Sequence, residues 1–221
     1  MSCALLFDLD GTLVHTDHVH FLAFNAMLAE FGRSVDQTTY NREIAGFANS
    51  DIMARLFSDL SVDEHKRIAD SKEARFRELV ETLEPQPGLM ALIQAADAQN
   101  IPRAVVTNAP RENAELMLRA IGLAEGWAAI VLAEGLPRAK PDPLPYVHAL
   151  GILGVSAERA VAFEDSRSGV RAAAQAGLDV VGMTTTQDAA TLMIEGAIFG
   201  AADFTDARLL DLVEARTGLR V

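Results

Sequence analysis

Short, continuously apolar runs that alternate with helical stretches restrict this chain more than any other feature. After an opening run at Ala4–Phe7, further runs occupy Arg103–Thr107, Ala129–Ala133, Ala160–Phe163 and Asp179–Met183. Helical patterning fills the intervals, at Leu89–Gln99, Arg111–Ile121, Leu144–Leu150 and Gly169–Ala176. A strand of this length without polar alternation must be covered on both faces, and alternation with helices supplies the cover. The pattern predicts an α/β fold, a Rossmann-like open parallel sheet with helices on both faces. A helix from Asp188, an edge strand near Ala201–Phe204 and a helix from Asp206 complete it.

Between the first and second runs the pattern changes. Residues 16–83 read as helical only, with Thr16 or Asp17 opening the first helix, Gly32 closing it, and Ser61 forming a capping box with Glu64. The segment Leu83–Leu89, with Pro85, Pro87 and Gly88, reads as the return linker. The expected division is an α/β core from residues 1–15 and 84–221 with an all-helical insert at 16–83. The natural hinges are Thr12–Asp17 and Thr82–Gly88.

Open parallel sheets gather ligands at the carboxyl ends of their strands. Asp8 and Asp10 follow the first run, Thr107 and Asn108 the second, Glu134 and then Lys140 the third, and Glu164 and Asp165 the fourth. So many carboxylates at one edge call for a cation, and hard oxygens suit Mg²⁺. Lys140 offers the compact charge that a phosphate or an ionised nucleophile requires. Each piece alone has an ordinary reading: Asp-Gly as a turn, Lys140-Pro141-Asp142-Pro143 as a solvated loop, Glu164-Asp165-Ser166 as a helix cap. His15, His18 and His20 lack the cysteines of a typical structural zinc site and read as surface and packing residues. Leu13 stands where an EF-hand loop needs glycine.

In their order, Asp8-Leu9-Asp10-Gly11-Thr12, Thr107-Asn108, Lys140 before Pro141, and Glu164-Asp165 with Ser166 and Gly169 resemble the motifs of the haloacid dehalogenase superfamily of phosphohydrolases. The insert at 16–83 is similar to the small helical cap of its sugar-phosphomutase-like branch. The resemblance implies that Asp8 attacks phosphorus and that Asp10 serves as general acid, then base. It implies that Thr107 and Lys140 hold the phosphoryl group with Asn108 nearby. Mg²⁺ would sit on the Asp8 carboxylate, the Asp10 backbone carbonyl and Asp165, close to Glu164. His20 and Lys72 match basic positions near the hinge and cap of β-phosphoglucomutases, whereas Asn49 stands where those enzymes carry a phosphate-binding arginine. Asn49, Lys72 and His20 are therefore candidate substrate-binding residues, with Phe47, Met53, Arg75 and Arg138 as further candidates for specificity. The departure at Asn49 favours a phosphatase over a mutase. Asp10 argues against a dehalogenase, and the absence of lysine from residues 36–65 against a phosphonatase. A binding protein that has lost the reaction is the contrasting reading.

A formal charge of -12 argues against a nucleic-acid backbone or an anionic membrane as the main partner. The sequence contains no apolar stretch of about 18 residues and no leader pattern at its start. With Cys3 as its single cysteine, the expected protein is a cytoplasmic monomer acting on a small phosphorylated metabolite.

Overall fold

The computed structural model describes residues 3–80 and 82–221. Six parallel strands form one sheet: β1 (Ala4–Phe7), β2 (Arg103–Thr107), β3 (Ala129–Leu132), β4 (Ala160–Glu164), β5 (Asp179–Met183) and β6 (Phe199–Ala201). Their spatial order is β3-β2-β1-β4-β5-β6. The chain therefore builds outward from β1 on one side and returns to its other side at β4, so the switch point falls beside β1. Register places Phe7 opposite Val105 on β2 and opposite Phe163 on β4.

Alternation along each strand sorts side chains into two apolar layers. Leu5 and Phe7 face one layer with α5 (Leu89–Ala98), α6 (Arg111–Ala120) and α10 (Ala207–Thr217). Ala4 and Leu6 face the other, with α7 (Leu144–Leu153), α8 (Arg167–Gln175) and α9 (Ala189–Glu195). Phe7 stacks on Phe163 with ring centroids 4.8 Å apart, and Phe204 meets Phe163 edge-on at 5.3 Å, an aromatic group directly beneath the strand ends.

Four helices follow β1: α1 (Asp17–Ala29), α2 (Gln37–Glu43), α3 (Asn49–Leu56) and α4 (Val62–Leu79). They share a third apolar cluster that includes Phe24, Tyr40, Ile52, Met53, Phe57 and Ile68. The Ser61–Glu64 capping box forms, with Ser61 N donating to Glu64 Oε2 at 2.9 Å.

Several boundaries differ from expectation for local reasons. α1 has no side-chain cap, because the Thr16 hydroxyl donates instead to Asp10. α4 stops at Leu79, four residues before the expected end, and Val80 is already extended; Glu81 lies outside the described residues. α7 runs on to Leu153, where Gly154 adopts φ +63° and ends it. The edge strand is Phe199–Ala201, ahead of the expected Ala201–Phe204, and Phe204 is instead buried in the aromatic group.

Candidate active site

The strand-end residues singled out in the sequence are found at the carboxyl edge near β1, beneath the four inserted helices, except Glu134, which is exposed beyond edge strand β3 and lines an outer groove. Asp8, Asp10, Thr107, Asn108, Lys140 and Asp165 line a cavity of about 90 Å³. Its far wall includes Asp17, Tyr40, Phe47, Asn49, Lys72 and Glu73 from the helical insert.

The turn after β1 depends on Gly11, at φ +77°, where any Cβ would lie 2.1 Å from Asp165 Oδ2. This glycine allows the first and last motifs to converge. Gly169 performs a similar service on α8: a Cβ there would lie 2.0 Å from the Glu164 carboxyl group. Glu164 can thus lie against the first turn of α8, where the helix end favours negative charge.

Lys140 is buried and uses all three ammonium hydrogens within the protein. It donates to Asp8 Oδ1 at 2.7 Å, to Val106 O at 2.7 Å and to Glu164 Oε1 at 2.5 Å. Tyr146, which the sequence reading missed, donates its hydroxyl to the same Glu164 oxygen at 2.7 Å. The Asn108 side chain accepts from Lys140 N at 3.2 Å and donates to Lys140 O at 3.3 Å and Gly46 O at 3.1 Å. It therefore positions Lys140 and also touches the insert. Ser168 Oγ donates to the same Gly46 carbonyl at 2.5 Å.

Positive charge falls short of negative charge at this edge. Burial raises the Asp8 carboxyl, Lys140 opposes that rise and Glu164 adds to it, with the balance at about 8. Burial and the charges of Asp17, Asp8 and Glu164 push Asp165 well above the usual carboxylate range, against a hydrogen bond from Thr186. Asp8, Glu164 and Asp165 each place an oxygen within 4.8 Å of the others. Closely spaced, buried, hard oxygens fit Mg²⁺, and burial beside other carboxylates makes Asp8 and Asp165 resist ionisation. The Asp10 side chain is separate from this cluster, which leaves only its backbone carbonyl as a candidate ligand.

Asp10 is held differently. Burial opposes its ionisation, but His20 and Thr16 together keep it below the ordinary carboxylate range. Thr16 Oγ1 and His20 Nε2 approach Asp10 Oδ1 at 2.6 and 2.8 Å. His20 Nδ1 in turn lies 3.0 Å from Lys72 Nζ, which donates to Glu73 Oε1 at 2.8 Å. Asn49 donates to Glu73 Oε1 at 2.7 Å and Asn113, from α6, to Glu73 Oε2 at 2.6 Å. Asn49, Lys72 and His20 thus meet as expected, but around a buried carboxylate that the sequence reading omitted. Asp17, read as a possible cap, and Tyr40 also reach the cavity.

Three expected specificity residues are elsewhere. Met53 is buried in the apolar cluster of the insert, Arg75 pairs with Glu30 at the surface, and Arg138 pairs with Asp142 at 2.8 Å in an outer groove.

A sequence profile described as haloacid dehalogenase-like hydrolase matches residues 4–177, most of the chain and all four motifs. The chain belongs to the haloacid dehalogenase-like hydrolases. Within that family, a validoxylamine A 7'-phosphate phosphatase from Streptomyces hygroscopicus subsp. limoneus is 32% identical, over 96% of this chain and 94% of that one. A phosphoglycolate phosphatase from Rhodospirillum rubrum is 33% identical, over 83% of this chain and 80% of that one. A mutant CbbY from Rhodobacter sphaeroides, crystallised with xylulose-(1,5)bisphosphate, is 30% identical with a TM-score of 0.79, covering 93% of this chain and 96% of that one. The haloacid dehalogenase-like fold accounts for the convergence of the strand ends beneath an inserted helical unit.

Proposed function

We propose that this hydrolase is a Mg²⁺-dependent phosphatase that hydrolyses a small phosphate monoester, of the sugar phosphate or phosphoglycolate kind, through an aspartyl-phosphate on Asp8. The observation that carries the reading is the Asp8–Lys140 pair at 2.7 Å beside the Asp8, Glu164 and Asp165 cluster, with Asp8, Lys140 and Asp165 lining one cavity.

Lys140 holds Asp8 Oδ1, fixing the nucleophile and favouring its ionised form. An oxygen of Asp8 bonds to phosphorus as the ester bond to the alcohol breaks, and Asp10 gives its proton to the departing oxygen. Asp10 is ionised at rest and takes up that proton from solvent as the negative charge of an arriving phosphate raises its proton affinity. Water then attacks the phosphorus of the aspartyl-phosphate, Asp10 takes the water proton, and Asp8 is released with inorganic phosphate. Thr107 and the Asn108-positioned Lys140 border the transferring group. Asp8, Asp165 and the Asp10 carbonyl would hold Mg²⁺, near Glu164. When bound, the metal supplies charge neutralisation for a loose phosphoryl transition state.

Residues 16–83 act as a cap in this reading, closing on the 1–15 and 84–221 core to exclude water. The working unit is a cytoplasmic monomer, which sedimentation of the purified protein tests. Among the described residues no helix is long and apolar enough to cross a membrane.

The deciding experiment is phosphate release from a broad ester panel with Mg²⁺, with EDTA and Asp8→Asn as controls. Faster isomerisation than hydrolysis of β-glucose-1-phosphate would replace the reading with a phosphosugar mutase. A wholly untouched panel would favour a phospho-ligand-binding protein.

A further inference from the structure

The cap end of the cavity carries an unusual charge arrangement. Its one lining ammonium, Lys72, is committed to the adjacent Glu73, and both residues are almost fully buried. His20 is committed as well, with Nε2 2.8 Å from Asp10 Oδ1 and Nδ1 3.0 Å from Lys72 Nζ. Asp10, His20, Lys72 and Glu73 therefore form one chain of mutual contacts at the cap end.

Glu73 cannot swing away from this position without losing its bonds. Lys72, Asn49 and Asn113 all donate to it, and Arg77 fixes Asn113 through a 2.9 Å bond to its Oδ1. Arg75 and Arg138, the nearby arginines suggested by sequence, pair with acidic residues outside the cavity. What the cap end leaves available is Asn49 Oδ1, the Tyr40 hydroxyl and one hydrogen of Lys72, an ammonium already paired with Glu73; none has a protein partner among the described residues. These groups suit hydroxyls, and the carboxylate field suits an ammonium. A second phosphate or a carboxylate would enter a desolvated space beside Glu73 with no uncommitted cation to meet it.

We infer that Glu73 is a specificity determinant. It restricts the enzyme to monoesters whose alcohol is hydroxyl-rich and either uncharged or ammonium-bearing, and it rejects sugar bisphosphates and phosphoglycolate-like esters. This inference rests on the phosphatase reading and narrows it.

The test compares kcat/KM for a neutral sugar phosphate, an amino-sugar phosphate, a sugar bisphosphate and phosphoglycolate, with para-nitrophenyl phosphate as the activity control. The neutral and amino sugars should exceed both doubly anionic esters by at least about 30-fold, since like charges in a desolvated site are strongly disfavoured. Glu73→Gln should shrink that gap by about tenfold or more, chiefly through a lower KM for the doubly anionic esters. Wild-type turnover of a bisphosphate or phosphoglycolate within about threefold of the best sugar monophosphate would overturn the inference, as would an unmoved ratio in a folded Glu73→Gln protein. Should the variant not fold, the wild-type ranking decides. Silence from every ester, the control included, would mark failure of the phosphatase reading instead. Calorimetric affinities of the Asp8→Asn protein for the same esters then carry the comparison, and equal affinities would refute selection by Glu73.

Discussion

Asp8 and Glu73 are both buried carboxylates beside a lysine, yet their surroundings push them in opposite directions. At Asp8, burial and Glu164 outweigh the pull of Lys140. Asp8→Asn should lower turnover by at least about 10³-fold while far-ultraviolet circular dichroism stays unchanged, because it removes the nucleophile and preserves side-chain shape. At Glu73, burial resists ionisation, but Lys72, His20 and Asn49 prevail and lower its proton affinity from 4.5 to about 2. A folded-state value below the unfolded one contributes stability that is complete above about pH 4.5 and lost as pH falls toward 2. Denaturant titrations between those pH values should show wild type losing stability more steeply than Glu73→Gln. Parallel slopes would mean that Glu73 is not ionised in the fold. The strand-end residues were legible in the sequence because short apolar runs fix where each strand stops. Glu73 was not, since a Lys-Glu pair on a helix ordinarily reads as a solvated face, and its partner Asn113 lies on α6, far away in the chain.

Among the elements, strands β2 and β5 fell where continuous apolarity placed them, and the helices erred mainly at their ends. Tertiary demand explains the most informative error. Thr16 has the right chemistry to cap α1, but its hydroxyl is drawn to Asp10, a contact that no local pattern encodes. In the loop between α2 and α3, Gly46 sits at φ +78° with its backbone against α8. A Cβ there would come within 2.3 Å of Ser166 Cβ. Gly46→Ala should therefore displace the loop from Asn108 and Ser168 and lower kcat/KM by about tenfold, with a smaller effect on thermal stability. Steady-state kinetics beside a melting curve separate the two effects, and unchanged kinetics would show that this contact does not govern closure.

Across the whole molecule, three buried carboxylates gather at one sheet edge within reach of a single ion. Mg²⁺ should raise the unfolding midpoint in proportion to the logarithm of its concentration above Kd, and EDTA should reverse that gain and abolish phosphate release. Asp165→Asn should weaken both responses. The global plan was readable because β/α alternation admits few architectures, whereas the seam between insert and core depends on side chains that meet only after folding. Along that seam, Asn113 of α6 donates to Glu73 of α4 in a buried setting, so any separation of the two helices must break a charge-assisted bond before water can replace it. The consequence is temporal. With residues 16–83 acting as the proposed cap, opening would become a gate with its own lifetime, and the pace of turnover would be set by that gate rather than by the chemistry at phosphorus. Such a gate would appear in rapid-quench measurements as a burst of alcohol formed ahead of the steady state, smaller in Asn113→Ala.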